Sequence, residues 1–171
     1  MLMSATSFSL HYAALYERKF LKYLYSEELK FFLSVIAICL TLTIICFATF
    51  AMLDWDTLRK SIFQTISIVT TSGFTIDDYS LWPGYIPFLL LVGAFIGACS
   101  GSVGGGLKSW RVLIILDQAR QEIIKTIHPN AVVTSRIGKK VVDASISEKV
   151  WGFFAVYVIT FIVLLVLVLM S

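Results

Sequence analysis

WDTLRKSIFQTISIVTTSGFTIDD, residues 55–78, is the stretch on which the fold turns. Asp54, just ahead of it, and Asp56, inside it, put negative charge where a helix start favours it. The helical pattern then runs as far as Thr70. There the small polar and glycine residues Thr70-Thr71-Ser72-Gly73-Phe74-Thr75 take over, followed by the charged pair Asp77-Asp78. The uncharged part, 61–76, is too short to cross a bilayer, because a helical span needs about 20 residues for ~30 Å of hydrocarbon. Between two true spans, such a segment enters the membrane and returns to the side it came from. It reads as a half-crossing helix followed by an extended strand.

The flanks supply those spans. Of the 171 residues, 58% are hydrophobic and 15% charged, against roughly 45–50% apolar residues in soluble domains. Uncharged runs fall at 31–53, 61–76, 79–107 and 150–171. The first, FFLSVIAICLTLTIICFATFAML, is apolar on all sides and free of Gly and Pro, as a structural outer helix would be. The third opens with Trp82-Pro83-Gly84-Tyr85, an aromatic interface anchor with Pro83 placed for a first helical turn. Its span YIPFLLLVGAFIGA then meets CSGSVGGGLKSW, and six glycines fall between Gly93 and Gly106. Each Gly costs a helix interior about 1 kcal/mol, so the helix breaks near mid-membrane. From Lys108 helical spacing returns until His128-Pro129, 130–149 is a polar basic loop, and 150–171 is a further span. Residues 7–25 mix leucines, tyrosines and basic residues and read as an amphipathic helix at the membrane interface. No apolar core with a small-residue cleavage site occurs in the first 30 residues, so no signal peptide is expected.

Charge orients the chain. Residues 1–30 carry four basic and three acidic residues, 51–83 two and four, and 108–149 eight and four. Basic flanks favour the cytoplasm, so 1–30 and 108–149 are expected inside and 51–83 outside.

Backbone polar groups in hydrocarbon must be paired, so irregular backbone at membrane depth belongs in protein or beside a watery cavity. Two such stretches, 70–75 and 97–106, point to a pore or transport path. A half-helix entering from outside aims the negative end of its dipole at the membrane centre, which favours a cation. The extended residues after it can offer backbone carbonyls to a partly dehydrated ion. Gly73 permits the geometry that turns such carbonyls inward, and Thr70, Thr71 and Ser72 add hydroxyls without bulk. The Gly-rich run resembles a phosphate-binding loop but fails its spacing, since Leu107 stands where the lysine belongs and Lys108 comes one residue late. It reads instead as a flexible loop beneath a filter, able to block or clear the path. No catalytic constellation occurs, so no enzyme is expected. Cys39, Cys46 and Cys99 lie in apolar runs as small hydrophobes, and His128 before Pro129 reads as a helix terminator. The basic residues of 108–149 fit the orientation signal better than a nucleic-acid surface.

TTSGF with DDYSLWP, then FIGACSGSVGGGLKSWRVLIILDQARQEI and IHPNAVV, resembles the TrkH/TrkG/KtrB family of bacterial K+ uptake proteins over nearly the whole chain. The resemblance implies an all-α integral membrane fold of helix, re-entrant pore-loop and helix units, four around one pore, with one filter glycine from each. Residues 31–127 then correspond to the third unit with a broken second helix, 150–171 to the first helix of the fourth, 1–30 to an interfacial linker and 128–149 to a cytoplasmic loop. Thr70, Thr71, Ser72, Gly73 and Phe74 would form filter, with K+ at carbonyls near Gly73. Gly97, Ala98, Cys99, Ser100, Gly101, Ser102, Val103, Gly104, Gly105 and Gly106 would form the gating loop. Implied partners are the other pore units, a second copy in a homodimer, the lipid of a bacterial inner membrane, and a TrkA/KtrA-like cytoplasmic subunit. No covalent cofactor or nucleic acid is implied, and nucleotide enters only through that subunit. The alternatives are a non-conducting membrane fragment with a structural or assembly role, and an ion-coupled secondary transporter.

Overall fold

The computed structural model describes every residue except 17, 19–22, 24, 53, 129–135, 139 and 171. Two compact units divide between Trp110 and Arg111. The first opens with two short helices, α1 (Leu2–Ala5) and α2 (Phe8–Leu15). Where an amphipathic helix was expected over 7–25, α2 covers only Phe8–Leu15, with Ala13 and Ala14 buried and Phe8, Tyr12 and Leu15 exposed, and Arg18 turns left-handed at φ 52. Residues 17, 19–22 and 24 of that stretch lie outside the described residues.

The outer span is α3 (Glu27–Thr49). It starts ahead of the uncharged run because Ser26 caps it, its hydroxyl accepting from Leu29 N at 3.3 Å. Glu27 and Glu28 in the first turn also complement the positive end of the helix dipole. It stops short of residue 53 because Ala51 turns left-handed at φ 54. The half-helix α4 (Trp55–Val69) follows at Asp54. After the return strand, a 3-10 turn at Tyr79–Leu81 leads to α5 (Ile86–Ile96), which carries Pro in its first turn. That proline is Pro87, not Pro83 as the sequence suggested. Pro83 sits in the preceding turn, where its carbonyl accepts from Cys46 Sγ at 3.5 Å.

Lipid is as apolar as a leucine side chain, so close approach and shape hold membrane helices together. One cluster of this unit packs Leu29, Phe32, Val35, Ile36 and Cys39 of α3 against Val69, Ala98, Cys99 and Ala5. The other packs Cys46 and Phe47 against Ile86 and Leu90, with Trp82 edge-on to Phe47 at 5.2 Å. At Gly93, α5 lies close to both neighbours. A Cβ there would stand 2.8 Å from Val69 Cγ2 and 3.3 Å from Cys39 Sγ, so only glycine lets α5 close on both neighbours.

After the Gly-rich loop, α6 (Ser109–Ile127) carries the chain into the second unit. A two-residue hairpin, β1 (Arg136–Ile137) with β2 (Lys140–Val141), turns at Gly138 and is the small exception to an otherwise helical fold. Then α7 (Ala144–Met170) begins six residues earlier than the uncharged run at 150, with Ile146 N and Ser147 N both bonded to Asp143 O. Within this unit, Trp151 Nε1 donates to Gln118 Oε1 at 2.6 Å and the Arg111 guanidinium lies 4.2 Å from the Phe153 ring centre. Among the described residues, α3 and α7 are the helices long and apolar enough to cross a membrane, and α5 is a shorter apolar helix.

Candidate functional site

The half-helix α4 turns the usual rule inside out. Its buried positions are Ser61, Gln64, Thr65, Ser67 and Val69, while Ile62 is exposed and Phe63 and Ile66 are half-buried. Gln64 Nε2, Thr65 Oγ1 and Ser67 Oγ are buried without a hydrogen-bond partner among the described residues. Buried polar groups are nearly always paired, so such a run is a functional signal. Gln64 also reaches forward, its Oε1 accepting from Ile76 N at 3.4 Å and tying the return strand to the helix. Arg59, Ile62, Phe63 and Ile66 line an open apolar groove of about 300 Å³ with Met1.

The helix ends in a Schellman motif. Ser72 N bonds Ser67 O and Thr71 N bonds Ile68 O, each at 2.9 Å. This motif needs a left-handed residue at the position of Thr71, normally a glycine. Thr71 takes it at φ 55. A β-branched residue there is a true outlier, at a cost of roughly 1–3 kcal/mol. Thr70 is buried, and its hydroxyl meets Ser67 O at 3.2 Å and Ser72 Oγ at 2.8 Å. Gly73 follows at φ 76 with nothing within 4 Å of where a side chain would start, and Phe74 is exposed. The five residues expected as filter thus form one turn at the end of the half-helix, opening at Gly73 onto free space.

The Gly-rich stretch, expected as a flexible loop, packs closely on itself, its glycines meeting other backbone. At Gly97 (φ 72) a Cβ would run into Gly105 O and stand 2.8 Å from Gly106 Cα; at Gly106 (φ 81) it would stand 2.7 Å from Gly97 Cα. These two glycines make a neck, closed by Ala98 N to Gly105 O at 3.4 Å, Leu107 N to Phe95 O at 3.0 Å and Ser109 N to Ala98 O at 2.9 Å. Helix α5 leaves through one side of the neck and α6 resumes from the other. Beyond it, Ser102 Oγ donates to Cys99 O at 2.6 Å, and the Lys108 ammonium donates to Ser102 O at 3.3 Å and to Gly104 O. Lys108 itself is left-handed at φ 76.

Two further attachments lay outside the sequence reading. The N-terminal stretch is laced to the loop by backbone bonds: Cys99 N to Ala5 O and Phe8 N to Gly101 O, both at 3.0 Å, and Val103 N to Ser4 O at 3.1 Å. Glu28 Oε1, from the first turn of α3, accepts from Ser100 N. His11, a lone residue in the sequence, ties the N-terminal helices to Tyr23, its Nδ1 lying 2.6 Å from the Tyr23 hydroxyl and its Nε2 2.7 Å from Met3 O.

The turn at the end of the half-helix and the Gly-rich loop touch. Gly105 N donates to Thr71 Oγ1 at 2.5 Å, and a Cβ on Gly104 would stand 3.0 Å from Thr70 O. At the outer end, Lys60 bridges Asp56 at 3.2 Å and Asp77 at 3.3 Å, clamping the two ends of the re-entrant segment together. Among the described residues no group of three or more His, Cys, Asp or Glu is placed to hold a metal ion. A cation here would meet backbone carbonyls and hydroxyls, the ligands suited to a weakly held, mobile ion.

A long helix, a re-entrant half-helix ending in a glycine-bearing turn, and a second helix broken by a loop laid against that turn define a helix, pore-loop, helix unit of a membrane transport protein. The family model for TrkH, described as cation transport protein, matches residues 1–171, and the chain belongs to that family. It is 43% identical over 169 residues to the Trk system potassium uptake protein TrkH of Halomonas elongata, covering 97% of this chain and 35% of that protein. It is 35% identical over 170 residues to the Trk system potassium uptake protein TrkG of Escherichia coli, covering 98% of this chain and 35% of that protein. The crystal structure of the potassium transporter TrkH from Vibrio parahaemolyticus superposes with a TM-score of 0.87 at 34% identity, covering 95% of this chain and 36% of that one. The chain therefore spans about a third of the length of these relatives.

Proposed function

We propose that this chain forms part of a K+ uptake path through a bacterial inner membrane, working as a transporter and not as an enzyme. Thr70, Thr71, Ser72, Gly73 and Phe74 line the filter, with K+ at backbone carbonyls near Gly73, and residues 97–106 are the gate beneath. The observation that carries this is the direct seat of the loop on the filter turn, Gly105 N on Thr71 Oγ1 and Gly104 against Thr70 O. A loop that served only to pack helices has no reason to meet the irregular turn of the half-helix. The names of the relatives, Trk system potassium uptake proteins, supply the ion.

Three other pore units complete the ring around the path, and the apolar groove beside α4 faces one of them. A second copy pairs with the full-length protein, and a cytoplasmic nucleotide-binding subunit of the TrkA/KtrA kind approaches the 108–149 side. Nucleotide acts through that subunit alone, and the chain carries no covalent cofactor.

The test is K+ and Na+ flux through reconstituted full-length protein, normalised to correctly inserted molecules. Because Gly97 and Gly106 already touch, residues 98–105 can be cut out and the ends joined across about one peptide step, ~3.8 Å. That deletion is expected to raise flux and leave ion preference intact. Stable protein with unaltered flux would refute the gate, and unaltered preference in Gly73→Ser would remove Gly73 from the filter.

A further inference from the structure

The neck, the Lys108 brace and the N-terminal lacing all hold the loop within its own part of the unit. One side-chain bond alone ties it to the half-helix among the contacts described above, and it falls on the residue with the least reason to be what it is. The C′ position of a Schellman motif asks for glycine. Thr71 stands there at φ 55, a β-branched residue in a conformation it resists. A strained residue persists where its surroundings hold it and where the strain serves something. The turn itself gains nothing from the Thr71 side chain, since both of its backbone bonds are independent of it. What the side chain adds is an acceptor 2.5 Å from Gly105 N. The neighbouring Thr70 hydroxyl is turned away, onto Ser67 O and Ser72 Oγ.

We propose that Thr71 is a positioning residue, a latch whose hydroxyl holds the Gly-rich loop shut against the filter through the Gly105 N–H. This rests on the reading of residues 97–106 as a gate. Opening the path requires that bond to break, and Gly105 N then finds water in the widened path in place of Thr71 Oγ1. The latch is therefore weak by construction: one hydrogen bond exchanged for another. A gate that must open on a signal needs such a bond.

Cys99, buried in the loop at 1% exposure, is a built-in reporter. In full-length protein with Cys99 as the only cysteine, its reaction with an impermeant methanethiosulfonate from the cytoplasmic side measures loop opening without any reference to K+. Thr71→Val keeps the shape and loses the acceptor. Thr71→Gly suits the turn better than threonine and also loses the acceptor, so it separates unlatching from misfolding. Both are expected to label on the order of two- to tenfold faster than the parent, the shift that loss of one hydrogen bond brings. Thr71→Ser, which retains the hydroxyl, is expected to label at the parental rate. If Val and Gly label like the parent, or Ser labels like Val, the latch is overturned. Faster labelling without a gain in K+ flux per molecule leaves the latch standing and removes the gate on which it rests.

Discussion

Gly73 and Gly97 share a left-handed backbone, at φ 76 and φ 72, yet the same substitution should do different things to them. At Gly73 a Cβ meets nothing within 4 Å, so Gly73→Ala adds backbone strain alone, roughly 1–2 kcal/mol. The protein is expected to fold and insert normally, with K+ preference over Na+ weakened severalfold in flux measurements. At Gly97 the Cβ runs into Gly105 O and the Gly106 backbone, neither of which is the yielding end of a side chain. Gly97→Ala is therefore expected to cost on the order of 3 kcal/mol or more, read as a lower thermal midpoint and a lower yield of inserted protein. Asp78 supplies a pH test at the outer surface. Its carboxylate accepts from Ser80 Oγ at 2.5 Å and Ser80 N at 3.1 Å, and these bonds hold its pKa below the ordinary 3.8. Because the folded value is the lower one, the stability this cap provides is complete at neutral pH and is lost only as pH falls through that lowered pKa. Ser80→Ala should bring the Asp78 titration back toward the ordinary value, by NMR or by acid-unfolding midpoint.

At the scale of elements, the Gly-rich loop is held by the first turn of α3 as well as by the turn after α4. Glu28 grips Ser100 N from the first turn of α3, a charge-assisted bond worth about 1.5–3 kcal/mol when its partner is shielded from water. Glu28→Ala should therefore raise hydrogen exchange over residues 98–103 by tenfold or more, while Glu28→Gln, which keeps an oxygen in reach, should raise it less. Equal exchange in all three proteins would show that the grip contributes nothing. How legible these elements were in the sequence follows from what each leaves in it. The half-helix was legible because an uncharged run too short to cross lies between the charged stretches 54–60 and 77–78, and charge placement survives any packing. The break in the second helix was legible from its glycines. The neck was not, since glycines chosen for backbone contact read like glycines chosen for freedom until their partners are known. The lacing of residues 4–8 to 99–103 was invisible for a simpler reason: backbone bonds impose no residue pattern. The polar face of α4 is present in the sequence as Ser61, Gln64, Thr65 and Ser67, but no residue pattern says that this face and not the apolar one is buried.

At the scale of the whole molecule, orientation decides what the site can do, because a half-helix favours a cation only if its carbonyl end points inward from the membrane surface. The charge in the flanks predicts that orientation. Residues 108–149 carry eight basic and four acidic residues, while 51–83 carry two basic and four acidic. Residues 51–83 also hold the Asp56–Lys60–Asp77 clamp, which gathers the ends of the re-entrant segment on one surface. Both ends of that segment must then emerge on the same side. If basic flanks remain in the cytoplasm, residue 81 is external and residues 108–149 are internal, which is the orientation that the proposed filter and gate require. Leu81 and Glu122 are both exposed, so each can carry a reporter without disturbing a core. In full-length protein freed of its native cysteines, Leu81→Cys is expected to react with an impermeant thiol reagent applied to intact spheroplasts, and Glu122→Cys only after the membrane is opened. The reverse pattern would invert the dipole and put the loop outside, and the gate would then face the wrong compartment to answer a cytoplasmic partner. Labelling of both positions from one side would mean that the run 82–107 does not carry the chain across the membrane.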